Sequence, residues 1–121
     1  MLASVAITVL GLFAVTAVAD AHRRPTKGEA AAISVALHKS RAIRRGLCFH
    51  ARNIVISTAG PWASAKVVRC GNGVNGHYYD TALAVLQHSR GKWHVRDLGT
   101  ADVGCTVAPA RVRRDLRLAC A

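Results

Sequence analysis

The chain opens on an apolar run without charged side chains, Met1 to Ala19, and then changes to patterned hydrophobicity. Thr26-Lys27-Gly28-Glu29 has the form of a capping box, in which the Thr26 hydroxyl accepts from the Glu29 amide and the Glu29 carboxylate accepts from the Thr26 amide. Pro25 just before it sharpens the boundary. Ala30, Ile33, Leu37 and Ser40, with Ala36 beside them, recur at helical spacing. The pattern predicts a helix over 27–41, although Arg41 to Gly46 already reads as a basic linker.

From Cys48 the period changes to two. Residues 49–57 and 62–70 read as strands rich in Val and Ile, joined by a turn at Ala59-Gly60-Pro61. A hairpin centred on Ala59 sets Cys48 opposite Cys70, on one face, where a disulfide can close. A one-residue slip would part them. Gly71 to Gly76 is a loop with two Asn-Gly pairs, and strands follow over 78–88 and 92–98 around a tight turn at Arg90-Gly91. Pairing about that turn sets Leu86 opposite Val95 and His88 opposite Trp93. Leu86, Val95 and Trp93 then share the face a helix can cover, while Leu83, Val85 and Leu98 fall on the other.

Pro109 starts a last short helix over 109–117. Val112 and Leu116 point inward, leaving Arg111, Arg113, Arg114 and Arg117 for the outer surface and rim as candidate anionic-ligand residues. Cys105 and Cys120 bracket this helix, and pairing them would staple it to the sheet. Four cysteines allow three connectivities, of which Cys48–Cys70 with Cys105–Cys120 is favoured. The expected fold is α+β: an N-terminal helix on a four-stranded antiparallel meander, a short C-terminal helix and two disulfides.

This element order, with Val103-Gly104-Cys105 leading through Pro109 to Asp115-Leu116-Arg117-Leu118-Ala119-Cys120, resembles small secreted actinobacterial proteins of unknown function. The resemblance covers most of the chain after residue 19. It implies export and a C-terminal disulfide, and no activity or site. The outline is also similar to cystatin-like protease inhibitors, but the chain lacks their Gln-x-Val-x-Gly hairpin, and its Pro61-Trp62 falls at the first hairpin.

The opening run ends in Ala17-Val18-Ala19 before Asp20, the small-residue close that signal peptidase accepts. Residues 1–19 are read as a signal peptide, in preference to a retained anchor, and 20–121 as one small domain. The n-region has no Lys or Arg. Export places the cysteines in an oxidising compartment, which favours disulfides over thiolate chemistry.

Charge adds a partner class. Seventeen Lys and Arg face six Asp and Glu, a net charge of +11 carried wholly after residue 19. Such a field attracts nucleic acid, an acidic polymer of the cell wall, anionic lipid or an acidic protein; it also serves solubility alone. No aromatic residues are interleaved with the C-terminal arginines, so a base-stacking surface for specific nucleic acid is not indicated. The glycine loop lacks the Lys-Ser/Thr of a phosphate loop. Cys48-x-His50 is not a zinc knuckle; His77-x-x-Asp80 offers two ligands, but a lone pair of this kind reads as turn residues, and no metal or cofactor is implied.

The expected function is a secreted basic binding or structural module, not an enzyme. Two alternatives remain. The first is a small ribonuclease-like hydrolase using a pair among His50, His77, His88 and His94, with Lys66 or Lys92 as the cation. The second is an extracellular protease inhibitor presenting Ser57 to Trp62. Oligomeric state is not legible.

Overall fold

A computed structural model describes residues 22–71 and 81–121. The expected export signal over 1–19, most of the Asn-Gly loop, the start of the strand expected from 78, His77 and Asp80 lie outside the described residues. The elements run α1 (Lys27–Lys39), β1 (Phe49–Ile56), β2 (Trp62–Arg69), β3 (Ala82–Ser89), β4 (Lys92–Gly99) and α2 (Ala110–Asp115). The strands form one antiparallel sheet in chain order. The α+β architecture and both disulfides, Cys48–Cys70 and Cys105–Cys120, are as the sequence predicts.

α1 begins at its capping box: the Glu29 amide donates to Thr26 Oγ1 at 3.2 Å, and the Thr26 amide donates to Glu29 Oε1 at 3.0 Å. The helix stops two residues earlier than its periodicity predicts. Ser40 is extended, and its hydroxyl accepts from the Ala42 amide at 3.2 Å. That local turn offers the backbone an alternative to another helical turn.

Two bulges decide which side chains meet. Near the disulfide, β1 and β2 pair as a hairpin centred on Ala59 requires, with Phe49 opposite Arg69 and Arg52 opposite Lys66. The register then shifts, so that Val55 faces Ser64 and Ile56 faces Ala63. Asn53, at φ 49°, takes the left-handed conformation at the extra residue, one that Asn tolerates better than most side chains. The slip carries Phe49, Ala51, Ile54 and Ile56 onto one face; simple alternation would have sent Ile54 and Ile56 to the other. A second shift lies between Leu86–Val95 and Val85–Asp97, where Arg96 is the extra residue. It moves Leu98 to the α1 side with Trp93 and Val95. The expectation that Leu98 shares a face with Leu83 and Val85 is thereby corrected. The Arg90-Gly91 turn has positive φ at both residues, 52° and 75°, as a type I′ hairpin requires.

The sheet is covered on both sides. On one, Ile33 and Leu37 of α1, with Ile43 from the linker, pack on Phe49, Ile56, Val67 and Leu86, while Ala63, Ala65 and Ala84 let the helix lie close. On the other, Trp62 and Val85 pack against Val103, Ala108, Val112 and Leu116 of the C-terminal segment.

That segment is fixed at Gly104. Its φ is 78°, and a Cβ there would fall 2.8 Å from Leu118 Cδ1 and 2.9 Å from Val85 Cγ2. Its amide donates to Asp97 Oδ2 at 2.7 Å. α2 is shorter than the predicted 109–117. It closes in a Schellman motif, with Arg117 at φ 53°, the Leu118 amide donating to the Arg113 carbonyl and the Arg117 amide to the Arg114 carbonyl.

Candidate functional site

A groove of about 740 Å³ lies between α1 and the β3–β4 hairpin. Its helical wall is recessed because Gly28, Ala32 and Ala36, one turn apart, carry little or no side chain. Val35 also borders it and is 51% exposed. The opposite wall is the start of β4, where half-buried Trp93 and Val95 rest on the α1-side core. The His88 ring meets Trp93 edge-on, with centroids 5.0 Å apart.

The ends of the groove differ in charge. At the helix N-terminus stands Glu29, whose two oxygens accept from Arg23 Nη1 and Nη2 at 2.7 Å each. The Arg23 guanidinium, helped by the Thr26 amide, holds the Glu29 carboxyl down at about 2. At the helix C-terminus stand Lys39 and Arg41, and Lys92 borders the groove from the hairpin. Lys39, Ser40 and Arg41 also line a second cavity of about 650 Å³, which continues along the linker past Arg44 and Arg45. Basic side chains thus cluster where the two cavities join. The sequence marked 41–46 as basic but gave no sign that it lines a cavity. The signal lay in small residues at i, i+4 and i+8 of α1, which read equally well as helix packing.

The residues singled out in the sequence are dispersed. Arg111, Arg114 and Arg117 are exposed on or just after α2, across the sheet from the groove. Arg113 turns inward and donates from Nη1 to the Cys105 carbonyl at 2.7 Å. It braces the staple and is not part of the rim. Arg23 pairs its backbone with Ile56, at 2.8 and 2.9 Å, and so covers one end of the β1 edge.

The histidines occupy separate settings. His50 is on β1, at the opposite edge of the sheet from His94 on β4, and its Nε2 lies 3.5 Å from Cys70 Sγ. His88 and His94 both border the groove. Yet His88 is opposite Trp93 and His94 opposite Gln87, so their side chains leave opposite faces of the sheet. His94 Nε2 donates to the Ser89 carbonyl at 3.3 Å. Among the described residues no group of three or more His, Cys, Asp and Glu is placed to hold a metal ion.

Sequence reasoning missed one polar cluster. Asp115 Oδ2 accepts from Ser57 Oγ at 2.6 Å and from the Thr58 amide at 2.8 Å, and His22 Nδ1 donates to the Asp115 carbonyl at 3.1 Å. Burial raises the Asp115 carboxyl pKa, but hydrogen bonds from Ser57, Thr58 and Ala59, with the field of His22, outweigh it and leave the group below its ordinary value. These are the residue types of a hydrolytic triad with different wiring. The Ser57 hydroxyl is spent on the carboxylate, and the imidazole is spent on a main-chain carbonyl. The cluster is a clamp between the first hairpin and α2. It also draws in the ends of the loop considered for protease inhibition: Ser57 and Trp62 are buried, leaving Thr58, Ala59 and Pro61 exposed.

No protein-family model, curated protein or solved structure matches the chain significantly.

Proposed function

We propose that this protein is a secreted basic binding module that takes an anionic polymer, such as one of the cell envelope, along the surface formed by Lys39, Arg41, Arg44, Arg45 and Lys92. The observation that carries this reading is the convergence of five cations on two adjoining cavities in which, among the described residues, the one acidic lining residue, Glu29, is already neutralised by Arg23. A polymer with several anionic groups gains from each cation and releases counter-ions as it binds. Secretion belongs to the same reading. It is supported by two disulfides, which persist in oxidising compartments, and by the Ala17-Val18-Ala19 close. Among the described residues no helix is long and apolar enough to cross a membrane.

The test is titration with polyphosphate and with a teichoic-acid-type polymer across a range of ionic strength. Binding is expected at low salt and should weaken steeply at moderate salt. The triple variant Lys39→Ala, Arg41→Ala, Arg44→Ala should reduce both the affinity and its salt dependence, while Arg111→Ala with Arg114→Ala leaves them nearly unchanged. Arg113 is kept because it holds the Cys105 carbonyl. If neither polymer binds at low salt, the charge serves solubility alone and the reading fails. If only the α2 variant loses binding, the grip lies on the other face.

A further inference from the structure

The groove beside α1 carries Lys39 and Arg41 at the helix C-terminus and Lys92 on the hairpin, and is apolar along most of its length. We infer that it binds a single-chain anionic amphiphile, an acyl carboxylate, with the chain lying along Ala32, Val35, Ala36, Trp93 and Val95 and the carboxylate at Lys39 and Arg41. The inference rests on the basic-surface reading for its head group only; the apolar wall is an independent observation.

Size, shape and charge order all bear on this. A volume of about 740 Å³ falls within the range of about 300–1,000 Å³ usual for small-molecule sites. The wall from Gly28 to Lys39 rises by about 16 Å along the helix axis, similar to the extended chain of laurate. Trp93 offers a broad flat surface to methylene groups. Val35 would otherwise remain a large apolar side chain half open to water.

Charge order selects the ligand class. An anionic polymer carries a charge at every repeat and finds partners only at the cations; against the apolar wall between them its charges would lose hydration without a partner. An acyl carboxylate carries one charge, which Lys39 and Arg41 meet at the helix C-terminus, while Lys92 borders the groove from the hairpin beside Trp93. The partial negative charge of the α1 C-terminus opposes the carboxylate there, but it is only about half a unit against two full cations.

The experiment titrates the intact disulfide-bonded protein with laurate below its micelle-forming concentration, followed by amide and indole NMR shifts. Shifts should concentrate at Ala32, Val35 and the Trp93 indole and spare Trp62, which is buried on the opposite face. Ala32→Trp fills the groove from an exposed helix position and should weaken laurate at least about tenfold, corresponding to loss of roughly one apolar side chain's worth of contact, while sparing polyphosphate. Val35→Glu, also at an exposed position, should do the same by placing a negative charge beside the chain. Lys39→Ala with Arg41→Ala should weaken both ligands. Dodecyl maltoside, with the same chain and no charge, should bind more weakly than laurate.

Laurate shifts absent from the groove, undiminished laurate binding by Ala32→Trp and Val35→Glu, or equal binding of dodecyl maltoside would each overturn the inference. Polyphosphate binding without laurate binding removes the amphiphile and leaves the basic-surface reading; loss of both removes both.

Discussion

A single residue, Asp115, joins three segments far apart in the chain. It accepts from Ser57 and Thr58 at the first hairpin, and its carbonyl accepts from His22. Asp115→Asn keeps the shape and one acceptor oxygen but removes the charge from two hydrogen bonds. It should cost about 1–2 kcal/mol, read as a lower Tm. The sign of the pH effect follows from the lowered carboxyl. A group more acidic in the folded than in the unfolded chain stabilises the fold above its ordinary range, and that contribution is lost as pH falls through the folded value. Denaturant melts should therefore show wild-type stability falling as pH drops below the ordinary carboxylate range, more steeply than in Asp115→Asn. An equal slope in both proteins would mean that the clamp does not depend on the ionised form. Arg117 gives the opposite expectation. It occupies the left-handed position that ends α2, at φ 53°, where glycine is the usual residue. Arg117→Gly should leave stability unchanged or raise it by up to about 1 kcal/mol. A clear loss would show that the Arg117 side chain makes a stabilising contact that outweighs its backbone strain.

At the level of elements, the sequence showed what exists and hid where each strand slips. The capping box, the period-two strands, the Arg90-Gly91 turn and the inward Val112 and Leu116 were legible because each is written within a few neighbouring residues. The bulges at Asn53 and Arg96 were not. Each depends on which of two near-equal registers buries more apolar surface once both sheet faces are covered, a comparison no local pattern contains. Leu98 was misplaced for that reason alone. The groove was hidden in a different way, since Gly28, Ala32 and Ala36 mark a cavity only when β4 stands opposite. α2 shows how far an element can depend on its surroundings. Six residues are too few for a stable helix in isolation, and its buried anchors are Val112 at 1% exposure and Leu116, just after its end, at 8%. The Cys105–Cys120 bridge closes a separation of 15 residues around it. Cys120→Ser should cost about 2–4 kcal/mol and raise amide exchange over 106–121 more than in β2 and β3. Uniform acceleration across the sheet would show that the staple supports the whole domain and not the C-terminal segment alone.

At the scale of the whole molecule, the described residues form a sheet between two thin apolar layers. Ile33, Leu37, Phe49 and Leu86 pack on one face; Trp62, Val85, Val112 and Leu116 pack on the other. This division separates the groove beside α1 from the exposed arginines around α2, so the two basic surfaces can be altered independently. It also makes a thermodynamic statement. Ile33→Ala should cost about 2–5 kcal/mol, and Val112→Ala, which removes two methyl groups from a fully packed site, about 2 kcal/mol. Their side chains share no cluster and lie on opposite faces of the sheet, so the double variant should lose the sum of the two within about 0.5 kcal/mol. Ile33→Ala with Leu37→Ala is the control. Those neighbours lie one turn apart in one cluster, and a collapsed or enlarged shared cavity makes their costs depart from additivity. Small domains have only about 5–15 kcal/mol to lose, so the cycle belongs in mild denaturant-free conditions with the disulfides intact. Coupling of more than about 1 kcal/mol between Ile33 and Val112 would show that the sheet passes strain from one layer to the other. In that case, filling the groove at Ala32 would also be felt at the C-terminal staple, which amide exchange over 106–121 in the Ala32→Trp variant would reveal.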